Sequence, residues 1–508
     1  MRLFNRFTFC KQALLPIVIG LLISHMTAIA FVWRSNALLQ ESLMALHANG
    51  WLTLPAGPAA ALLGGFKAAA SGALFFTLSI GAGLTLAAWS VCRVLQLLSE
   101  TRWKISKPAF EMTLLSALIF WAALMVYVNF NGWVFFPSLF VLLTPLVVVL
   151  TAVRLKNKGP RRPSQYWPLP LAALLLLTGL WATQFNARMF LTIRDQLLMS
   201  NPIGSRVNDF YYRYTLFAAQ SFKSFQQKSI RPWRPGSGLD EATTERLARV
   251  LARHDVLLTP RLEPVDLIIR PSGGQLMLRS PRHDGLTVTV SDLMREPGAW
   301  LERFSRATDR YGPFRRLVFV GLLLGFPILL YVTVDGFIGR LAGRFAGETA
   351  TLWIRSCTCL VIGALCFLPM AAVPEISIGL DSVGNALDTD DLNTRMAALK
   401  YIESQKIDIA RYPHYRQLLH SPWDAERYYL ARALAYAGNA ATFEDLLTLI
   451  EDPHPNVVCQ AYYALGKRGN RAALEPIRQK MQQSDHWYVQ WYGYRAMRRL
   501  GWHQSLSK

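Results

Sequence analysis

His25 is the one ionisable side chain well inside an apolar run, and an imidazole there could relay protons or ligate a haem or a metal. No other apolar run supplies a second histidine or carboxylate. The same residue therefore also reads as a neutral ring hydrogen-bonded to a neighbouring helix. His254, Asp255, His283 and Asp284 would make a metal cluster only if the hairpin that follows folds back on the preceding helix. Cys357 and Cys359 point to different helical faces at i and i+2, which excludes a shared metal. Asp381, Asp388, Asp390 and Asp391 lack the spacing and the glycine of an EF-hand. Arg310, Arg315 and Arg316 cluster where an apolar run begins and are candidates for lipid headgroup phosphates. Tyr488, Trp491, Tyr492 and Arg495 follow i, i+3, i+4, i+7 and share one helix face, a candidate surface for a peptide, a glycan or a neighbouring domain. Residues 186–316 hold no nucleophile elbow, HExxH, P-loop or CxxC, and no catalytic residue or cofactor is expected anywhere.

The elements that must position these groups are mostly membrane helices. Seven runs of 18–24 residues carry almost no charge: 12–33, 68–91, 112–130, 133–153, 166–185, 317–334 and 356–373. Each is long enough for a hydrocarbon core of about 30 Å at about 1.5 Å per residue. In the second run Ser79, Gly83 and Ala87 give a small-xxx-small spacing for close helix approach. Pro145, Pro327 and Pro369 sit inside runs as kink positions. Asn129–Gly132 reads as a tight turn between the third and fourth runs.

The net charge of +21 belongs largely to this topology. Residues 1–185 hold 14 Lys/Arg against 3 Asp/Glu. Counted over the N-terminus and the short loops, 15 basic residues lie on one side of the runs and only Arg34 and Lys67 on the other. Basic loops stay cytoplasmic, which puts the N-terminus inside and both 186–316 and the C-terminal region outside a plasma (inner) membrane. This use of the charge removes the case for a nucleic-acid partner. Two alternatives stay open. Ala28-Ile29-Ala30 resembles a signal cleavage site. If the seventh run does not cross, the C-terminal region is cytoplasmic.

Between the fifth and sixth runs the period changes. Residues 188–200, 208–228 and 240–253 read as helices, Arg231–Gly236 as a break, and 265–270, 275–279 and 286–290 as strands, with a hairpin at Pro271–Gly274. Residues 292–307 return to helix, which makes 186–316 a small exported α+β domain.

Beyond residue 390 the chain repeats itself. Residues 427–439 align with 458–470 at an offset of 31, pairing Ala433-Leu434 with Ala464-Leu465 and Gly438-Asn439 with Gly469-Asn470. A further offset of 32 brings in Gly493, Ala496, Met497 and Gly501, and a weaker copy starts near Asn393. This pattern resembles the short HEAT-like repeat of the type found in phycobilin lyases. The resemblance implies an α-solenoid that presents a protein-binding surface, and it carries no lyase chemistry. Residues 1–385 resemble no family.

The expected architecture is thus a polytopic α-helical membrane protein. It comprises a five-span block (1–185), the exported α+β domain (186–316), two further spans (317–373), a linker (374–390) and the repeat solenoid (391–502). The expected function is a membrane-anchored scaffold that binds another envelope protein through its repeats and sits in the lipid bilayer. A transporter or export-complex component, or an interfacial lipid or glycan enzyme, is the alternative.

Overall fold

The computed structural model describes residues 2–100, 106–155, 168–186, 189–199, 201–263, 265–281, 283–371 and 376–505. The basic loop residues Arg102, Lys104, Lys156, Lys158, Arg161 and Arg162 lie outside them, as do the run ends Tyr166, Trp167, Ala372 and Val373.

Among the described residues, six helices are long and apolar enough to cross a membrane: Leu14–Ala48, Phe66–Gln96, Lys107–Val128, Phe135–Arg154, Gly312–Ala342 and Glu348–Phe367. The fifth expected run is shorter, a helix over Pro168–Thr183. The first helix does not stop at Trp33 but continues to Ala48, because no glycine or proline interrupts residues 34–48.

Two of these helices contain π turns, Thr77–Gly81 and Gly321–Gly325, and they cross each other there. Glycine makes the crossing possible. A Cβ on Gly325 would lie 2.6 Å from Cα of Gly83, and one on Gly321 would lie 2.5 Å from the Ser79 carbonyl oxygen. The Ser79/Gly83 stripe thus meets a second glycine pair that the sequence did not single out.

Prolines inside the apolar helices leave carbonyls that the helix cannot satisfy. Pro145 has no N–H for Val141 and Pro327 has none for Leu323. Both orphans are taken by tryptophan from a neighbouring helix. Trp121 Nε1 donates to the Val141 oxygen at 3.0 Å, and Trp181 Nε1 donates to the Leu323 oxygen at 2.9 Å. In hydrocarbon such a bond replaces the one that water would supply.

The segment between the spans is built on a five-stranded sheet in the order β2-β1-β3-β4-β5, with β1 Arg231–Pro235, β2 Val256–Leu258, β3 Leu267–Ser272, β4 Gln275–Ser280 and β5 His283–Val288. The expected break at Arg231–Gly236 is therefore an internal strand, parallel to both neighbours. Its prolines are tolerated because the two pairings are offset. Pairing with β2 covers Arg231–Trp233 and pairing with β3 covers Trp233–Pro235. Pro232 faces the β3 side, where its carbonyl accepts from Asp266 N, one residue before that register begins. Pro235 faces the β2 side, beyond the end of β2. The hairpin between β3 and β4 turns on Gly273 and Gly274, both at positive φ (58° and 79°), as a tight two-residue turn needs. The expected helix over 208–228 is instead Pro202–Gln220, capped by Asn201, whose side chain accepts from Gly204 N.

From Leu392 the chain forms stacked helices: Leu392–Gln405, Asp424–Ala433, Ala440–Leu449, Pro455–Arg468, Leu474–Gln483 and Trp487–Arg499. The repeated Gly-Asn pair has a local reason. Gly469 ends one helix in the left-handed region (φ 73°), while Asn439 and Asn470 cap the next elements by accepting from Thr442 N and Ala472 N. Leu434, Leu465 and Met497, equivalent in the three copies, are fully buried. Gly466 brings the Pro455–Arg468 and Trp487–Arg499 helices together, since a Cβ there would lie 3.0 Å from Ala496 Cα.

Candidate protein-interaction face

The first helices of the three repeats, Asp424–Ala433, Pro455–Arg468 and Trp487–Arg499, lie side by side. Their N-terminal ends are packed against the Pro202–Gln220 helix and the 49–57 loop. Two of them begin with a histidine. His454 and His486 accept through Nδ1 from Asn456 N and Tyr488 N, which fixes each ring with Nε2 protonated. Those Nε2 atoms face Asp424 at 3.6 Å and Asp209 at 3.8 Å. Burial lowers the pKa of both rings, and His486, beside Arg213 as well, is pushed down to about 3.

Much of the aromatic content of these helices is spent on the joint. Tyr488 packs against Tyr212 with ring centroids 4.5 Å apart and the planes tilted by 34°, and Trp487 Nε1 donates to the Tyr212 carbonyl at 2.8 Å. Arg213 pairs with Asp485 at 2.8 Å, and Ser205 donates to Asp424 at 2.5 Å. Gln490 bonds both backbone groups of Ala56, at 2.9 and 3.0 Å, and Gln504 bonds both of Leu52. Tyr494 donates to Asp255 at 2.5 Å, and Arg498 lies 3.4 Å from the same carboxylate.

A buried charge cluster forms a second clasp. Arg194 and Asp195 occupy a π turn after the Pro168–Thr183 helix. Asp195 binds Arg194 at 2.7 Å, Lys400 at 3.2 Å and the Tyr429 hydroxyl at 2.5 Å. Arg194 donates to the Tyr428 hydroxyl at 2.7 Å and lies over that ring at 4.4 Å.

The four residues expected on one face are brought together. Tyr488 contacts Trp491 and Tyr492, with centroids 5.9 and 5.0 Å apart, and Arg495 lies 4.7 Å above Trp491. They do not share one environment. Tyr488 belongs to the joint, Trp491 and Tyr492 are half-buried at its rim, and Arg495 is exposed.

Most of the other expected groups that are described have protein partners. His25 Nδ1 lies 2.9 Å from the Thr77 hydroxyl on the neighbouring helix. Arg310 donates to the Trp133 carbonyl, and Arg315 pairs with Asp309 and donates to the Phe222 carbonyl. Arg316 is exposed. Asp255 is engaged as described, the side chains of His283 and Asp284 lie outside the described residues, and among the described ones no three His, Cys, Asp or Glu side chains are grouped to hold a metal. The sequence reading missed one pair. Asp335 and Arg355 meet at 3.2 Å across the last two long helices. Each lies one residue outside an apolar run, so a search confined to the runs passed over both.

A family model for HEAT repeats matches residues 412–498, the stretch that contains all three first helices. The C-terminal region therefore carries HEAT repeats, which in general mediate protein–protein interaction. No curated protein and no solved structure matches the chain.

Proposed function

We propose that the chain is a membrane-anchored scaffold of the cell envelope that uses its HEAT repeats to bind another envelope protein. The observation that carries this reading is the seating of the repeats on loops that connect apolar helices. The basic-residue alternation assigns residues 34–67, 131–132, 186–316 and 374–508 to one side. Contacts join all four: Trp51 Nε1 to the Leu258 oxygen at 2.9 Å, Asn131 to Asp309 at 2.9 Å, Tyr212 to Tyr488, and Ala56 to Gln490. This one-sided packing supports the alternation, and the alternation itself points to a cytoplasmic N-terminus and an extracytoplasmic repeat region.

A crossing by the Pro168–Thr183 helix completes that topology. It is supported by its ends, which are level with a long span: Tyr331 donates to the Pro170 oxygen at 2.6 Å and Trp181 to the Leu323 oxygen at 2.9 Å. The bare apolar flank of Lys107–Val128, with Met112 69% and Val126 68% exposed, suits lipid contact. We keep the division into a five-span block (1–185), an α+β unit (186–316), two spans (317–373), a linker (374–390) and a solenoid (391–502). Affinity purification of the full chain from mild detergent tests the function. A stoichiometric protein partner is the expected result, and recovery of the chain alone after in-cell crosslinking would overturn it.

A further inference from the structure

The net charge of residues 374–508 is small, with 16 Lys/Arg against 15 Asp/Glu, but the fold separates the signs along the first helices. Acids gather at their N-terminal ends, where Asp424, Asp452 and Asp485 lie at the joint. Bases gather at their C-terminal ends, as the helix dipole favours. The repeat offsets make Tyr436, Lys467 and Arg499 equivalent, and likewise Arg432, Tyr463 and Arg495. These positions alternate cation and ring. Lys467 Nζ lies 3.9 Å from the Tyr436 centroid, Arg499 4.8 Å from Tyr463, and Arg495 4.7 Å from Trp491.

Lys467, Arg495 and Arg499 are exposed, and none has a carboxylate within 4.0 Å among the described residues. Arg432 and Arg498, by contrast, are paired with Glu403 and Asp255. Lys467 donates to the Tyr436 hydroxyl, and beside Arg495 and Arg499 an open cavity of about 330 Å³ is lined by Trp491, Tyr494, Arg495, Arg498 and Arg499, together with Asp255 and Ser229.

We propose that this cation–aromatic ladder binds an extended acidic segment of a partner protein. Neighbouring helices pack about 8–10 Å apart. An extended chain advances about 3.3 Å per residue, so acids three residues apart match the step from Lys467 to Arg499. Arg495, one turn back on the helix that carries Arg499, adds a further cation beside the cavity. Each ring carries a cation, and Trp491 also stacks on Tyr488, which leaves less ring surface for sugars or bases and favours a polypeptide among the polyanions. Each carboxylate meets a cation already oriented by its ring, which limits the side-chain entropy lost on binding.

The inference rests on the scaffold reading, and the test separates the two. The full-length protein in detergent is titrated against a fluorescent Gly/Ser peptide with glutamate at every third position. A peptide with the same glutamates in one block and a sulfated polysaccharide serve as competitors. The spaced peptide should bind more tightly than the blocked one, and affinity should fall as salt rises. Lys467→Glu with Arg499→Glu should weaken binding about tenfold or more. Lys467→Gln with Arg499→Gln should fall between that variant and the wild type. Arg478→Glu, on a second helix, should change nothing. Equal binding by the double-Glu variant, or preference for the polysaccharide, overturns the inference. If no peptide binds while the wild-type chain still copurifies a partner, the acidic-segment inference falls and the scaffold stands. If no partner is recovered either, both fall.

Discussion

Asp195 ties the repeats to the rest of the chain through Lys400 and Tyr429. Its side chain is 6% exposed, and it faces Arg194, Lys400 and the Tyr429 hydroxyl. Asp195→Ala would leave the nearly buried Arg194 guanidinium without its counter-charge, a loss that typically costs about 3–5 kcal/mol. A lower melting temperature in detergent is the expected outcome. Asp195→Asn should recover part of the loss by keeping an acceptor for Tyr429. His486 makes the joint sensitive to acid. Its folded pKa is pushed down to about 3, while an unfolded histidine titrates near 6.5. The unfolded chain therefore binds more protons between those values. The stability tied to a neutral His486 is whole above pH ~6.5 and is lost as pH falls from there toward 3. His486→Asn keeps an acceptor for Tyr488 N, and melting between pH 7 and 4.5 should show a shallower acid loss than in the wild type.

At the scale of elements, the tryptophan bonds to proline-orphaned carbonyls are the sharpest claim. Trp121→Phe removes the donor to the Val141 oxygen and should cost about 1–3 kcal/mol for the unsatisfied carbonyl, besides the lost packing. Pro145→Ala returns a backbone N–H to Val141. The penalty of Trp121→Phe should therefore shrink in that background, and melting of the four proteins of the cycle measures the coupling. The apolar helices were legible in the sequence because hydropathy is local, and so were the repeats, because their Ala-Leu and Gly-Asn pairs recur at fixed offsets. β1 was not legible. Its two prolines are acceptable only through an offset between two partner strands, which no local pattern records. The face of Tyr488, Trp491, Tyr492 and Arg495 was legible as a helical stripe. Its division between joint and rim was not, since that depends on Tyr212, far away in sequence. The segregation of charge on the first helices was hidden in the same way by a near-zero sum.

At the scale of the molecule, the repeats are clamped onto the rest of the chain rather than tethered as an appendage. Gln490 and Gln504 grip the loop after the first helix, Tyr488 packs on the Pro202–Gln220 helix, and Tyr494 reaches Asp255 beside β2. The account therefore requires the repeats, the sheet and that loop to share one side of the membrane. The exposed positions Lys467 and Arg344 lie on opposite sides in this topology. A membrane-impermeant maleimide applied to sealed right-side-out vesicles tests this directly, with Lys467→Cys and Arg344→Cys read above the wild-type cysteine background. The account predicts labelling of Lys467→Cys in sealed vesicles and of Arg344→Cys only after permeabilisation. Labelling of Arg344→Cys in sealed vesicles with Lys467→Cys protected would contradict it.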